Sequence, residues 1–308
     1  MIDTFCSIEL PVHEHLNISK RRIQGNLPGE KRISIVTGTH GDELEGQYVC
    51  FLLAQLLEER LDEWGGTVDI YPSLNPLGMD TLTRGVPGFD LDMNRIFPGH
   101  PMGSMIEHVA SEIIEDILGS DLCVDIHSSN IFLREIPQVR ISEDTKDDLL
   151  PLAKEINVNF IWIHASATVL QSTLAHSLNT RNVPTLVVEM GVGMRITKEY
   201  CLQLVDGIIN IMGKLGLWKD ANKNMIEPFV ADVGSYVEFI NAREPGLFIP
   251  SAPHWSIVTK GQKIGAILHP LYNKTVEEVI APCSGMLFTL REYPIVNPGS
   301  LLARIYNS

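Results

Sequence analysis

The stretch "RISIVTGTHGDELEG", Arg32 to Gly46, decides how the chain folds. Its first half carries "ISIV", three β-branched aliphatic residues around one small serine, the pattern of a buried strand. Its second half is a glycine-flanked turn that carries His40, Asp42, Glu43 and Glu45. "LEGQYVCFLLAQLLEERLDEW", from Leu44, reads as an amphipathic helix. That helix is expected to run on to Trp64 and to stop at Gly65-Gly66. A strand thus hands over to a helix through a cluster of acids and one imidazole.

The same alternation continues downstream. "TVDIYPSLN" (67–75), "LCVDIHSS" (122–129), "NFIWIHA" (159–165) and "PTLVVEMG" (184–191) read as strands. Helices are expected over 104–119, 143–156, 170–181 and 197–216, the first with Ser104 as N-cap and Glu107 completing a capping box. Such a pattern predicts a three-layer α/β domain spanning 1–224, with helices on both faces of a sheet. From 225 to 308 the chain is rich in Gly and Pro and has short alternating runs such as "SYVEFI", "WSIVTKGQKIGAIL" and "LLARIY". These predict a smaller all-β domain packed against the first.

The 308 residues are 44% hydrophobic and 20% charged, as in an ordinary globular protein with a large core. A formal charge of −14 argues against a nucleic-acid partner, which needs clustered Lys and Arg. The N-terminal "MIDTFCSIELPVHEH" lacks a signal-peptide core, and no apolar run approaches the roughly 18 residues that suggest a membrane span. Five cysteines without short spacings point to reduced thiols. The expectation is a cytoplasmic protein with neither membrane nor nucleic-acid partners.

Ligand crevices of open α/β sheets form at the carboxyl ends of the strands. His40 with Glu43, His127 after "LCVDI" and Glu189 after "TLVV" all fall there. Three residues apart in a helical first turn, His40 and Glu43 would share a face. His127 would complete the two-histidine, one-carboxylate set that hydrolytic zinc enzymes use, with water as fourth ligand. Taken alone, the pair reads better as a turn residue and a dipole-offsetting acid. The coincidence with His127 and Glu189 reverses that preference. Asp125 is a candidate partner for His127. The loop Asn75 to Gly99 lacks either period yet carries Arg84, Asn94 and Arg95, and guanidinium groups clamp carboxylates or stabilise an oxyanion without titrating.

The ordered set "GTHGDE", "NPLG", "DMNRIFPG", "DIHSS" and "VVEMG" resembles the succinylglutamate desuccinylase/aspartoacylase family, a branch of the zinc-carboxypeptidase-like fold. The tail, with "VTKGQKIGAI" and "IAPCSGML", is similar to that branch's barrel-sandwich-like β domain. This resemblance implies a mixed sheet and one Zn²⁺ held by His40, Glu43 and His127. Glu189 is implied as the general base, Arg84 as the group that polarises the scissile carbonyl, and Asn94 with Arg95 as the holder of a substrate carboxylate. The implied activity is cleavage of the amide bond of a small anionic N-acyl amino acid or amine. Two alternatives remain open: a metallocarboxypeptidase acting on peptides, and a non-catalytic binding protein on the same fold. "DMNR" stands where the family has Asp-Leu-Asn-Arg, and "MGVGMR" after Glu189 departs from the aspartoacylase pattern.

Weaker candidates complete the reading. His13 and His15 would share one face of an extended strand; His164 ends a strand; Arg195 follows Glu189 within one loop. The tail lacks the Ala-Met-Lys-Met hairpin of a biotin carrier, which leaves it as a wall of the active site or a homo-oligomer contact.

Overall fold

The computed structural model describes residues 1–165, 171–219, 221, 225–232 and 235–307. In chain order the elements begin with β1 (Ile2–Glu9), β2 (His15–Gln24), β3 (Leu27–Thr37), α1 (Glu45–Glu59), β4 (Gly65–Tyr71), α2 (Pro76–Thr81) and α3 (Met105–Ile117). Next come β5 (Leu122–Ser128), β6 (Leu133–Ser142), α4 (Lys146–Ala153), β7 (Phe160–His164), α5 (Leu174–Asn179), β8 (Thr185–Gly191) and α6 (Lys198–Lys214). The remainder is all β: β9 (Phe229–Ala231), β10 (Tyr236–Asn241), β11 (Gly246–Pro250), β12 (Ser256–Val258) and β13 (Lys263–His269). It finishes with β14 (Lys274–Ile280), β15 (Gly285–Arg291), β16 (Ile295–Val296) and β17 (Leu301–Asn307).

Among the described residues, thirteen strands make one sheet along the path β1-β2-β4-β3-β5-β8-β6-β15-β17-β10, with β12 on β15 and β7 and β9 beside β6. Its centre, β4-β3-β5-β8, is parallel, whereas β2 and β6 join it antiparallel, so the sheet is mixed. The apolar runs alternate between two cores, as period-two geometry requires. Ile33, Ile35, Val124 and Ile126 pack with α1, α4 and α6. Val36 and Cys123 pack with α3 and α5 on the opposite side. The expected three layers are therefore present. The capping box is also there: Ser104 Oγ accepts from Glu107 N–H, and the Glu107 carboxylate accepts from Ser104 N–H at 2.8 Å.

Differences from expectation have local causes. Helix α1 stops at Glu59, five residues before Trp64, and a 3-10 turn follows. Gly65 and Gly66 are not its cap; Gly65 already lies in β4, where a Cβ would come within 2.5 Å of the Leu27 carbonyl oxygen. The helix expected over 170–181 is confined to Leu174–Asn179, position 170 lying outside the described residues. Hairpin β1–β2 extends the sheet beyond β4, although its polar sequence did not suggest strands. Lys20 explains why: it takes an inward position in β2 at 3% exposure, its ammonium 2.6 Å from Asp116.

The tail is joined to the α/β part through main-chain hydrogen bonds. β15 runs antiparallel to β6, with Thr289 opposite Glu135, and β9 pairs with β7. Phe288 is fully buried at this seam, stacked on Phe160 with ring centroids 4.6 Å apart. A second sheet of four strands, β14-β13-β11-β16, closes the tail's own core around Phe248, Val258, Ile264 and Ile267.

Candidate metal centre

β3 delivers the chain to the turn that carries His40 and Glu43. Gly41 has no room for a side chain there, since a Cβ would lie 1.9 Å from the backbone carbon of Gly78. The turn is thereby pressed against the start of the long loop. Glu45 opens α1 and is fully buried; its carboxylate accepts from Thr197 N–H at 2.8 Å and lies 3.1 Å from the Cys201 thiol. It therefore ties the turn to the segment that follows β8, away from the imidazoles.

The end of β5, one strand over, brings His127 to the same place. His40 Nδ1 is 2.7 Å from Glu43 Oε1 and His127 Nδ1 is 2.9 Å from Glu43 Oε2, with the ring centroids 5.1 Å apart. One ligand atom from each of the three buried residues lies within 4.8 Å of the others. The remaining imidazole nitrogens face carboxylates as well. His40 Nε2 is 3.1 Å from Asp92 Oδ1, and His127 Nε2 is 3.2 Å from Asp125 Oδ2 but out of line for a hydrogen bond.

Burial by itself would raise the Glu43 carboxyl, but the two imidazoles, His127 foremost, outweigh it and hold it at about 2. Burial likewise opposes protonation of His127, yet Asp125 and Glu43 prevail and raise it well above the ordinary histidine value. Such mutual stabilisation marks a concentration of negative charge around two nitrogen donors. The donor set fits a divalent cation: two imidazoles and a carboxylate at one point suit zinc, and each far ring nitrogen faces a carboxylate, as in metal-bound histidines.

Glu189 stands on β8 directly beside His127 in the parallel register. It is partly buried and lines the same crevice. Burial raises its carboxyl above the ordinary glutamate value, Arg140 opposes this, and the negative Glu43 adds to it. The long loop closes over the cluster. Asn75 caps α2 by accepting from Gly78 N–H at 2.9 Å. Arg84 places Nη1 3.0 Å from Glu43 Oε1 and Nε 3.4 Å from Asp92 Oδ2. Asn94 accepts from Leu174 N–H at 2.9 Å, which leaves its amide NH₂ as a donor. Arg95 lines the crevice and donates to the Asn94 carbonyl at 2.7 Å. All seven residues singled out in the sequence thus border one cavity of about 880 Å³.

The weaker candidates divide. His164 borders the cavity, its Nδ1 3.1 Å from the carbonyl of Ala165. Arg195 instead pairs with Glu292 at 3.0 Å and is not among the cavity-lining residues. His13 lies in a 3-10 turn beside Glu9, whereas His15 begins β2, so the two do not share a strand face. The sequence reading missed Arg140, Glu135 and Arg304, which border the cavity from β6 and β17. Polar residues at alternate positions of "LREIPQVRIS" were the available signal, but Pro137 interrupts the strand pattern.

A mixed three-layer sheet with a two-histidine, one-carboxylate cluster at its carboxyl edge defines an α/β protein with a candidate metal centre. The particular family follows from comparison. Residues 29–215 match the succinylglutamate desuccinylase/aspartoacylase catalytic domain, and the chain belongs to that family, whose members are amide-cleaving deacylases. It is 27% identical over 287 residues to the N-alpha-acetyl-L-2,4-diaminobutyric acid deacetylase of Halomonas elongata, covering 90% of this chain and 82% of that one. The product-bound ectoine utilization protein of Ruegeria pomeroyi superposes with a TM-score of 0.83 at 19% identity, over 100% of this chain and 95% of that chain. A succinylglutamate desuccinylase/aspartoacylase from Rhodobacter sphaeroides gives 0.78 at 22% identity, over 96% and 90%. Both structures share the whole fold, tail included.

Proposed function

We propose that this protein is a zinc-dependent deacylase that hydrolyses the amide bond of a small N-acylated amino acid, with His40, Glu43 and His127 as metal ligands. The observation that carries the reading is the meeting of those three side chains at one point, beside Glu189, inside a crevice. Family membership and the Halomonas relative support the substrate class.

When bound, zinc would polarise the amide carbonyl and acidify water. Glu189 accepts the proton of the attacking water and passes it to the leaving nitrogen, so that water and amide become a carboxylate and an amine. Its raised proton affinity suits a group that must first take the proton and then give it up. The NH₂ of Asn94 and the guanidinium of Arg95 hold the carboxylate of the amino-acid portion. Arg84, already against Glu43, supplies positive charge where the carbonyl oxygen becomes negative.

The test is turnover by the purified, zinc-loaded protein of a panel of N-acetyl and N-succinyl amino acids and mono-N-acylated diamines, with dipeptides alongside. Release of free amine from at least one small acyl substrate, at kcat/KM well above that for any dipeptide, is expected. Dipeptides as the better substrates would make it a peptidase. An inert, fully loaded protein would overturn the reading.

A further inference from the structure

The cavity wall contributed by β6 and by the tail has no part in the chemistry above, yet it holds a dense polar cluster. Arg140 Nη1 lies 3.3 Å from Glu189 Oε1, and Arg140 Nη2 lies 3.6 Å from Glu135 Oε1. Glu135 is 1% exposed and receives three hydrogen bonds besides that contact. Arg304 Nη1 donates to Oε1 at 2.7 Å, while Thr289 Oγ1 and Gln138 Nε2 donate to Oε2 at 2.6 and 2.9 Å. Three hydrogen bonds and one ion-pair contact thus converge on the two oxygens of this buried carboxylate. The guanidinium carbons of Arg140 and Arg304 also sit 5.8 and 5.6 Å from the centre of the Trp162 ring.

We propose that Arg140 is a positioning residue for Glu189, fixed in turn by Glu135 and, through Thr289 and Arg304, by the C-terminal strands. The inference rests on the reading of Glu189 as general base. A base works only when its carboxylate is held within hydrogen-bond reach of the water it deprotonates. Glu189 lies on β8, two residues before its end, and lines a large crevice, where Arg140 forms a salt bridge with it. Arg140 itself lies within ion-pair distance of the buried Glu135 and over the Trp162 ring, so its position is tied to both. Two of the groups that fix Glu135 come from β15 and β17, beyond residue 225. The tail thereby acquires a catalytic purpose: it braces the base from the second layer of side chains.

The test uses full-length zinc-loaded protein and whichever panel substrate it turns over. Arg140→Gln, Arg140→Lys, Glu189→Gln, the Arg140→Gln/Glu189→Gln double variant and Thr289→Val are compared by steady-state kinetics, with zinc content and melting temperature measured on each. Arg140→Gln should keep its zinc and lose at least about tenfold in kcat, with KM changed by less than about twofold. Arg140→Lys should recover part of that loss, and Thr289→Val should show a smaller loss of the same kind. The double variant should be within about twofold of Glu189→Gln alone, because a group that acts through the base has nothing left to position. Losses that multiply in the double variant, a loss confined to KM, or wild-type kcat in Arg140→Gln would each overturn the proposal. If Arg140→Gln does not fold, Arg140→Lys and Thr289→Val carry the same test, and wild-type kcat in both overturns it. Inertness of the wild-type enzyme towards the whole panel overturns the base assignment and this proposal with it; an active wild type with an unimpaired Arg140 variant overturns this proposal alone.

Discussion

Two imidazoles meet on the carboxylate of Glu43, and every functional expectation at the scale of single residues follows from that meeting. His127→Ala removes one of three donors and should leave the purified protein with well under one zinc per chain by elemental analysis; full stoichiometry would exclude His127 as a ligand. Glu189→Gln touches none of the three and should retain the metal while losing at least about 10² in kcat, the lower range for a positioned base. The pH dependence has a definite sign. In the proposed role of base Glu189 must be ionised to act, and burial, opposed by Arg140 and reinforced by Glu43, raises its carboxyl. The acid limb of kcat/KM should therefore lie above about 4.3, the value of an unperturbed glutamate, with activity falling as pH drops through it. A profile flat down to that value, with zinc content monitored at each pH, would contradict the assignment. His40, Glu43, His127 and Glu189 were legible because each interrupts a strand-turn pattern with a group that such positions rarely carry, and Arg84, Asn94 and Arg95 because they fall in a long polar loop without either period. Arg140 and Glu135 were not, because a polar residue facing an internal cavity looks in sequence like one facing water.

Among the elements, the ligand turn and α3 show how local sequence sets geometry. Gly41 lies against the Gly78 backbone, so Gly41→Ala must push the ligand turn away from the loop that bears Arg84. Lower zinc affinity in competition with a chelator is the expected result, and unchanged affinity would show that the two loops can separate freely. Ser104→Ala removes half of the capping box of α3 and should lower stability to urea by about 1 kcal/mol without altering zinc content. That helix was readable residue by residue, since capping is written in a tetrapeptide. β6 was not readable, because its pairing with β8 shifts register between Glu135 and Gln138, around Pro137, and its polar side chains serve a cavity. β2 was hidden by Lys20, whose burial depends on an aspartate 96 residues away.

Taken whole, the molecule is organised by a sheet that does not stop where the α/β pattern ends. β15 continues it from β6, and the ring of Phe288 fills the seam against Phe160 and Trp162. Phe288→Ala should cost about 3–5 kcal/mol and lower the melting temperature of the entire protein in one transition. Two separate transitions, only one of them shifted, would mean that the tail unfolds independently. Among the described residues no helix is long and apolar enough to cross a membrane. What the sequence determined unaided was the alternation of buried strands and helices, the all-β character of the tail, and the chemical types gathered at strand ends. These are carried by short-range periodicity and by residues out of keeping with it. Only the tertiary structure decided which nitrogen of each imidazole faces Glu43, that β6 runs antiparallel beside β8, and that the tail's Arg304 and Thr289 reach the buried carboxylate of Glu135. Such facts depend on contacts between segments far apart in the chain, for which local pattern holds no record.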